Sequence, residues 1–439
     1  MGGPPPEQRM RAEACNRCGR TVGDLRRALS IEQLRGAAPL CSVPGCPLVQ
    51  KIQGFAKPPE VRGKEIFGPS PPSVFVGRFG YPHVSLGPLL PPGAVEKPAL
   101  LDSPRDWTGS DILSILGLRS RLLRSKTVLE VDAVRDPSRS LEVSRELAMA
   151  TKPVETEITL SKEPKLDFTP RLEGLTPPMG PSVDVVKTRI TEHVAVPRKV
   201  DQIVSDTDVL AAEGAWEMYR GGVDPYQIQK IFSVGLLGER HHRKLVPTRW
   251  SITATDDVLG KQLIERIKNF QQVGGIEYHS SELFGNHFHV LFFPQAWRYE
   301  MVETWLQGDD WNANSVTVTD AEGFRGRTDY ASAITGAYYA ARLSCLEHLV
   351  ERQRQAALLV VREITDDYWA PLGVWVIREG VRMALETPAL AFGEAAAAIK
   401  HVTRRVRAKG WSARSQLARD LVQQRTLKDF FRSEDGPEP

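Results

Sequence analysis

The sequence contains no long apolar run. Its longest uninterrupted apolar stretches, such as Ala356–Val361, are far shorter than the ~18 residues that a membrane-spanning helix needs. The segment from Met1 to Pro6 lacks the apolar core of a secretory signal, and Pro6 does not fit the myristoylation pattern. We therefore expect a cytoplasmic protein with no membrane partner.

The chain also lacks a large excess of charge of one sign, since 57 basic and 54 acidic residues leave a net charge of +3. The distribution is nevertheless uneven. Residues 15–90 contain ten Lys or Arg and four acidic residues. Residues 400–432 contain ten Lys or Arg and two acidic residues. Clustered cations bind phosphate groups by releasing counterions, so both ends predict contact with DNA and a nucleoid-associated location. The alternatives are a role in solubility or an acidic protein partner.

Cysteine is scarce: the chain has five, and four of them fall within residues 15–46. They form two pairs with two and four intervening residues, each beside a glycine-containing turn. Two such pairs offer four thiolates to one tetrahedral cation, and a module this small needs a metal to hold it together. We predict a zinc site, with an iron–sulfur cluster as the alternative. The predicted ligands are Cys15, Cys18, Cys41 and Cys46.

Two enzyme signatures are missing. No phosphate-binding Walker loop is present, which argues against ATP-driven unwinding. No group of acidic residues has the local spacing of a two-metal nuclease, although distant segments can assemble such a site and hold a divalent metal in the central domain. Whether the protein is an enzyme stays open at this point.

The changes in composition along the chain predict an α+β fold with a zinc module at its N-terminus. The middle is mixed, and the C-terminal region is helical and basic. The predicted segments are a disordered N-terminus over residues 1–14, the four-cysteine module over 15–50, a Gly/Pro-rich mixed β region over 51–200, an α+β core over 201–390, a basic helical region over 391–423 and a terminal peptide with its tail over 424–439.

The periodicity of apolar residues predicts individual elements. Asp224-Pro225 is typical of a helix start. We expect a hairpin over Ile276–Phe293, strands over Val246–Thr255 and Leu372–Arg378, and helices over residues 203–232, Lys261–Gln272, Ile334–Arg354 and Phe392–Arg407.

Two groups of residues are candidates for nucleic-acid binding. A Gly-Tyr-Pro turn between two β-like runs would bring Arg78, Tyr81 and His83 together to bind a phosphate or stack on a base; the alternative is a tyrosine that covers a core. The second group consists of cations, which suit phosphate contacts unless the segment is simply an exposed loop. They are Arg240, Arg243, Lys244 and Arg249.

The hairpin offers a candidate catalytic group. A two-residue turn at Gly285-Asn286 would pair Glu282 with His289 and place Phe284 opposite His287. Because side chains alternate along a strand, Glu282, His287 and His289 would share one face. A carboxylate and two imidazoles suit a metal ion or acid–base catalysis; the alternative is a solvated sheet surface.

The last segment carries paired aromatic residues near a polar tail. One helical turn would place Leu427, Phe430 and Phe431 on one side, while Gln424 hydrogen-bonds separately. Exposed phenylalanines in this setting predict a docking surface. The pattern resembles the PCNA-interacting peptide of sliding-clamp partners at all four of its positions; the alternative is a helix that packs on its own domain.

The order of these motifs resembles the archaeal Nre family of DNA repair proteins. The resemblance rests on the cysteine pairs, the segment from Val76 to Pro82, the stretch from Gly285 to His289 and the terminal peptide. It implies a DNA repair factor that acts in concert with PCNA. One hypothesis for the middle of the chain is an enzyme that processes damaged DNA by a nuclease-like or nucleotide-modifying reaction. The alternative is a non-catalytic DNA-binding adaptor that tethers repair partners to PCNA.

Overall fold

The computed structural model describes residues 61–163, 176–306, 315–365, 367, 368 and 370–423, together with the backbone of 38–39 and 171–172. The four predicted metal ligands and the terminal peptide from Gln424 onward lie outside the described residues. The zinc site and the clamp peptide therefore stay predictions. A pair of two-residue strands, β1 (Ala38–Pro39) and β7 (Arg171–Leu172), runs antiparallel.

The chain divides into two compact units. Unit 1 comprises Met1–Gln262 and Asp367–Glu379, and unit 2 comprises Leu263–Asp366 and Gly380–Pro439. Each unit contains one six-stranded sheet. The α+β class predicted from the sequence is therefore confirmed for the described part of the chain.

The sheet of unit 1 has the strand order β2-β6-β8-β5-β4-β3. Neighbours are antiparallel except β5 and β8, which are parallel. Strand β6 alternates buried and half-buried residues, so one of its faces covers a core. The strands are β2 (Glu65–Ser70), β3 (Val74–Val76), β4 (His83–Leu90), β5 (Leu123–Glu130), β6 (Val154–Leu160) and β8 (Ser182–Ile190).

Side-chain caps begin several helices of unit 1. Asp224 accepts the backbone N–H of Tyr226 at 2.8 Å and is followed by Pro225, as the sequence predicts for this helix start. Asp111 caps its helix in the same way. The helices are α1 (Ile112–Ser120), α2 (Arg139–Met149), α3 (Arg198–Ser205), α4 (Ala211–Arg220) and α5 (Pro225–Ser233), with short 3₁₀ turns at Pro98–Asp102, Pro104–Trp107 and Val131–Arg135.

The sheet of unit 2 has the order β13-β12-β15-β11-β10-β16, in which only the pair β12 and β15 is parallel. Its central strand β15 is buried along its whole length, as expected for a strand covered on both faces. The strands are β10 (Ile276–Leu283), β11 (Asn286–Phe293), β12 (Arg298–Trp305), β13 (Val316–Glu322), β15 (Ala357–Ile364) and β16 (Leu390–Phe392), and β9 (Gln271–Gln272) pairs with β14 (Arg354–Gln355).

Helices cover both faces of this sheet. On one face Tyr278, Leu291 and Leu359 pack in a core with α9 (Ala395–Arg405), α10 (Trp411–Arg414) and α11 (Gln416–Gln423). On the other face the ring of His279 lies 5.8 Å from that of His348 in α7 (Gly336–Glu351). Both layers are needed because both faces of the central strands carry apolar side chains.

Two helices continue from unit 1 into unit 2, and both start where strands were predicted. The strand over Val246–Thr255 is wrong: α6 (Thr248–Ile267) begins directly after Pro247, whose carbonyl accepts the N–H of Ser251 at 3.0 Å. The strand over Leu372–Arg378 is also wrong, because α8 (Trp375–Glu386) begins there. Both segments are rich in β-branched residues, which favour strands, and each is too short to show a helical period by itself.

The remaining predictions of elements agree more closely with the structure. The hairpin over Ile276–Phe293 is confirmed as β10 and β11. The buried helix within Ile334–Arg354 is confirmed as α7, and the helix within Phe392–Arg407 as α9 with its basic end. Among the described residues, no helix is both long enough and apolar enough to cross a membrane.

Candidate functional site

The turn between β3 and β4 in unit 1 presents side chains to solvent. Gly80 has a φ of +91°, which favours glycine, and its carbonyl accepts the N–H of His83 at 2.9 Å. Gly77 approaches the opposite strand so closely that an added Cβ would lie 2.3 Å from Oγ of Ser85. These backbone requirements account for the two glycines of the segment Gly-Arg-Phe-Gly-Tyr-Pro.

Three aromatic side chains are exposed at this turn and beside it. Phe79 is 71% exposed, Tyr81 50% and Trp250 44%. The ring centroids of Tyr81 and Trp250 lie 5.2 Å apart, and the guanidinium of Arg78 lies 4.5 Å from the centroid of Phe79. We call Arg78, Phe79, Tyr81 and Trp250 the aromatic patch. Exposed rings beside a cation can stack on nucleic-acid bases and contact a phosphate.

A hydrogen bond joins the two segments that carry the patch. The backbone N–H of Val76, at the end of β3, donates to Oγ1 of Thr248 at 2.9 Å. Thr248 is the first residue of α6, and Trp250 follows two residues later. The sequence pattern indicates Tyr81 and Arg78 but not Phe79 and Trp250, because exposure of a large ring is a property of the folded surface.

The structure gives different surroundings to the other predicted nucleic-acid residues. His83 is exposed and lies 3.2 Å from a carboxylate oxygen of Glu130. Arg243 donates to the carbonyls of Gly238 and Asp206, both at 2.7 Å, and of Val204 at 3.1 Å, so its guanidinium braces the loop. Arg240 and Lys244 are exposed, and Arg249 is half-buried.

An open pocket in unit 1 reaches the same segment. Its empty volume is about 710 Å³, including the part open to solvent. Thr248 lines it, as do Val74 and Phe75 of β3, so it adjoins the elements that carry the aromatic patch. Besides aliphatic and hydroxyl side chains, the lining includes aromatic rings and charged groups, among them Tyr226, Trp375, Asp102, Arg119, Lys230 and Arg378.

Two cations share one carboxylate in this pocket. Asp102 accepts from Arg119 at 2.6 Å and from Lys230 at 2.8 Å. Burial by itself would raise the pKa of Asp102, but Lys230 and Arg119, with a hydrogen bond from Ser73, outweigh burial and lower it. Burial lowers the pKa of Arg119, which is 3% exposed, and Asp102 opposes that effect. The carboxylate is therefore ionised at neutral pH.

A second charged pair lies against the pocket. The guanidinium of Arg378 forms a buried ion pair with Asp256 and lies 4.6 Å from the ring centroid of Tyr226. The Tyr226 hydroxyl donates to Glu379 at 2.8 Å. Burial is the largest single influence and lowers the pKa of Arg378, but Asp256 and Tyr226, by their electrostatic attraction and hydrogen bonds, together outweigh it and raise the pKa overall. The cation is thus permanent and held in one position.

No local pattern in the sequence indicates this pocket. Its polar groups come from segments far apart in the chain, such as Asp102 after β4, Lys230 in α5 and Arg378 in α8. No spacing within one segment could have indicated them. Within each of these segments, the sequence shows charged residues next to apolar ones, a pattern that is common on helix surfaces.

The hairpin of unit 2 differs in its turn from the prediction. Glu282 pairs with His287 and Ser280 with His289, so the predicted pairing of Glu282 with His289 is wrong. The turn residues are Phe284 and Gly285, with φ of 53° and 72°, as in a type I′ turn. Because the register differs by two residues and strand side chains alternate, the shared face of Glu282, His287 and His289 is nevertheless retained.

The three hairpin side chains have separate local roles. Glu282 is exposed and accepts the N–H of Gly285 at 2.8 Å, which closes the turn. His289 is buried and lies 2.8 Å from the Tyr278 hydroxyl. Burial, with the nearby His287, Arg405 and His401, lowers the pKa of His289 to about 3, so its ring is neutral at pH 7. His287 is half-buried between them.

Within the described parts of both units, no group of three or more His, Cys, Asp or Glu side chains is placed to hold a metal ion. Glu282, His287 and His289 therefore do not form such a group. A catalytic role for these three residues stays a prediction.

The comparisons place the chain among known proteins. The family model described as "Archaeal Nre, N-terminal" matches residues 40–312, and "Archaeal Nre, C-terminal" matches residues 322–430. The chain is 38% identical over 395 residues to the DNA repair protein NreA of Archaeoglobus fulgidus, covering 89% of this chain and 96% of that protein.

Two further relatives match most of the chain as well. The DNA repair protein NreA of Haloferax volcanii is 40% identical over 345 residues, covering 76% of this chain and 82% of the relative. The DNA repair protein NreB of Archaeoglobus fulgidus is 36% identical over 346 residues, covering 78% and 85%. No solved structure matches the chain. The chain belongs to the archaeal Nre family.

Proposed function

We propose that this chain is a DNA repair protein that binds DNA through the aromatic patch of unit 1. The relatives that it matches over most of their length carry the name DNA repair protein, which supports the role. The single observation that carries the DNA-binding part is the exposure of Phe79, Tyr81 and Trp250 beside Arg78. A cluster of apolar rings that is exposed to water is typical of a surface that binds a partner.

Single-stranded or unpaired DNA fits this surface best. Every base has a flat face that stacks on an aromatic ring, and such stacking contributes about 1–3 kcal/mol per base. The neighbouring Arg78 supplies a positive charge for the phosphate that follows a stacked base. The exposed cations Arg240 and Lys244 add further candidate phosphate contacts on the same unit.

Recruitment by the PCNA sliding clamp is the second part of the proposal. It is supported by the sequence pattern Gln424, Leu427, Phe430 and Phe431, which lies outside the described residues. A terminal peptide would raise the effective concentration of the repair protein at the clamp without a large interface.

The test is a titration of a fluorescently labelled single strand, monitored by anisotropy. We expect the Tyr81→Ala/Trp250→Ala variant to bind at least tenfold more weakly than the wild type. Phe67→Ala is the matched control, because Phe67 is a 52% exposed phenylalanine of the same unit outside the patch. Equal affinities of all three proteins would refute DNA binding by the patch.

A non-catalytic adaptor is the alternative to an enzyme that processes damaged DNA. The observation in its favour is that Glu282 closes its own turn and His289 is buried. Labelled single-stranded, duplex, flap and abasic DNA, incubated with Mg²⁺, Mn²⁺ or Zn²⁺, distinguishes the two. Products formed by the wild type and lost in Glu282→Ala/His287→Ala support catalysis at the hairpin; binding without products supports the adaptor.

A further inference from the structure

We propose that the pocket of unit 1 binds a single nucleotide unit, an aromatic base that carries a phosphate group. The nucleotide is either free or extruded from a DNA strand. For the extruded form, the proposal rests on the proposed DNA-binding function; for the free form it does not. Three features of the pocket carry the inference: its charge, its rings and its position.

The charge of the pocket favours an anion. Arg378 is matched by Asp256, but Arg119 and Lys230 share the single carboxylate of Asp102. The cluster of Arg119, Lys230 and Asp102 therefore holds two cations and one carboxylate, whereas the Glu379 carboxylate lies on the Tyr226 hydroxyl. Lys230 is the most accessible of the three, with a 23% exposed side chain, whereas Arg119 and Asp102 are 3% and 9% exposed. A phosphate entering the pocket would meet the Lys230 ammonium first and complete the balance of charge.

Aromatic side chains provide a place for a base. Phe75, Tyr226 and Trp375 line the same pocket. The hydrogen bond from its hydroxyl to Glu379 and the Arg378 guanidinium against its ring hold Tyr226 in place. Its ring therefore offers a rigid surface on which a base can stack. The pocket-lining amide of Gln229 is held by a 3.3 Å hydrogen bond to Asp256, and an amide can donate to and accept from a base edge.

The position of the pocket connects it with the aromatic patch. The strand β3 lines the pocket at Val74 and leads directly into the turn that carries Tyr81. Thr248 lines the pocket and begins the helix that carries Trp250. Enzymes and sensors that act on one base take it out of the stack into a pocket, and the cost is lowest where the strand is unpaired or damaged.

Two variants probe the pocket in different ways. Lys230→Met removes the accessible charge and keeps the aliphatic stem, and Met179→Trp fills the pocket from its half-buried wall without changing charge. Lys261→Met is the matched control, because Lys261 is an exposed lysine of unit 1 that forms an ion pair, with Asp257. Circular dichroism and the melting temperature establish that each variant is folded.

The first arm uses isothermal calorimetry with deoxyadenosine 5′-monophosphate, deoxyadenosine and inorganic phosphate. The second uses single strands in which one adenine is replaced by fluorescent 2-aminopurine, which brightens when it leaves the stack. We expect one saturable site in at least one arm. We expect at least tenfold weaker binding, or loss of the brightening, in both pocket variants, and wild-type behaviour in Lys261→Met.

The two arms identify the source of the nucleotide. Binding of the free monophosphate alone assigns the pocket to a free nucleotide, and brightening alone assigns it to a base extruded from DNA. No signal in either arm, or a signal that both folded pocket variants retain, would overturn the proposal. If neither arm reports a pocket signal but Tyr81→Ala/Trp250→Ala loses affinity for the single strand, the proposed DNA binding stands and only the pocket is rejected. If the monophosphate binds but the protein has no affinity for DNA, the pocket stands and the proposed DNA binding is rejected.

Discussion

Tyr81 and Trp250, which are far apart in the chain, lie with their ring centroids 5.2 Å apart and their planes at 59°. One ring belongs to the turn after β3 and the other to the first turn of α6. Tilted pairs of this kind contribute about 0.5–1.5 kcal/mol beyond the burial of their area. Since both rings remain half exposed, their contact sets the shape of a surface more than it fills a core.

The charge of Arg78 leads to a prediction about salt. If this guanidinium contacts one phosphate, Arg78→Gln will reduce the slope of log K against log salt concentration by about 1. Anisotropy titrations over a range of NaCl concentrations measure the slope. Lys152→Gln, an exposed cation outside the patch, is the control and should keep the wild-type slope. An unchanged slope in Arg78→Gln would show that Arg78 does not contact phosphate.

The terminal peptide leads to a prediction about the clamp. Phe430→Ala/Phe431→Ala removes the two rings of the predicted plug, so affinity for PCNA should fall at least tenfold. Surface plasmon resonance on immobilised PCNA measures it. The affinity for single-stranded DNA should stay at its wild-type value in the same variant. Retained binding to PCNA would rule out this peptide as the docking segment.

The buried imidazole of His289 leads to a prediction about pH. Its pKa is about 3 in the folded protein against 6.5 for the ordinary side chain, so the unfolded chain binds the proton more readily. Stability should therefore fall as the pH drops below 6.5, by about 2 kcal/mol at pH 5 from this group. Urea unfolding at several pH values measures the loss, which His289→Asn should reduce.

Tyr278→Phe tests whether the neighbouring hydroxyl contributes to the lowered pKa of His289. Burial is the largest cause of the lowered pKa, and this variant keeps the burial while it removes the hydroxyl 2.8 Å from the imidazole. We therefore expect the pH dependence to persist in Tyr278→Phe. Its disappearance there would mean that the hydrogen bond, and not burial, lowers the pKa.

A buried ion pair in unit 2 leads to a prediction about stability. Arg342 of α7 donates to Glu322 of β13 at 2.7 Å, and both side chains are fully buried. Arg342→Met leaves a buried carboxylate without its cation and should cost about 3–5 kcal/mol of unfolding free energy. In Arg342→Met/Glu322→Gln the loss should be smaller. Chemical denaturation compares the two variants, and equal losses would contradict the electrostatic explanation.

Gly180 leads to a prediction about close packing in unit 1. A Cβ at this position would lie 2.1 Å from the carbonyl oxygen of Leu122, a backbone atom that cannot move aside cheaply. Gly180→Ala should therefore lower the unfolding free energy by about 1–3 kcal/mol. Gly109→Ala, where nothing lies within 4 Å of the added carbon, is the control and should not be destabilising. If Gly180→Ala leaves the unfolding free energy unchanged, the backbone around Gly180 shifts freely to make room for the added carbon.

Local chemistry explains which elements were predictable. Asp224-Pro225 begins a helix because an aspartate cap and a proline satisfy the first turn without any tertiary contact. The hairpin was predictable from its alternation, but its turn was assigned one position too late. Phe284 adopts a φ of 53°, a conformation that a sequence pattern assigns to glycine or asparagine and not to phenylalanine.

The sequence by itself determined the family, the α+β class and the turn that brings Arg78 and Tyr81 close together, because these depend on motifs and on backbone limits of nearby residues. Only the tertiary structure decided that Trp250 joins Tyr81 and that Asp102, Lys230 and Arg378 line one pocket. It also decided that Val246–Thr255 lies mostly in a helix. The physical reason is that proximity and burial between distant segments arise from packing, which no local spacing records.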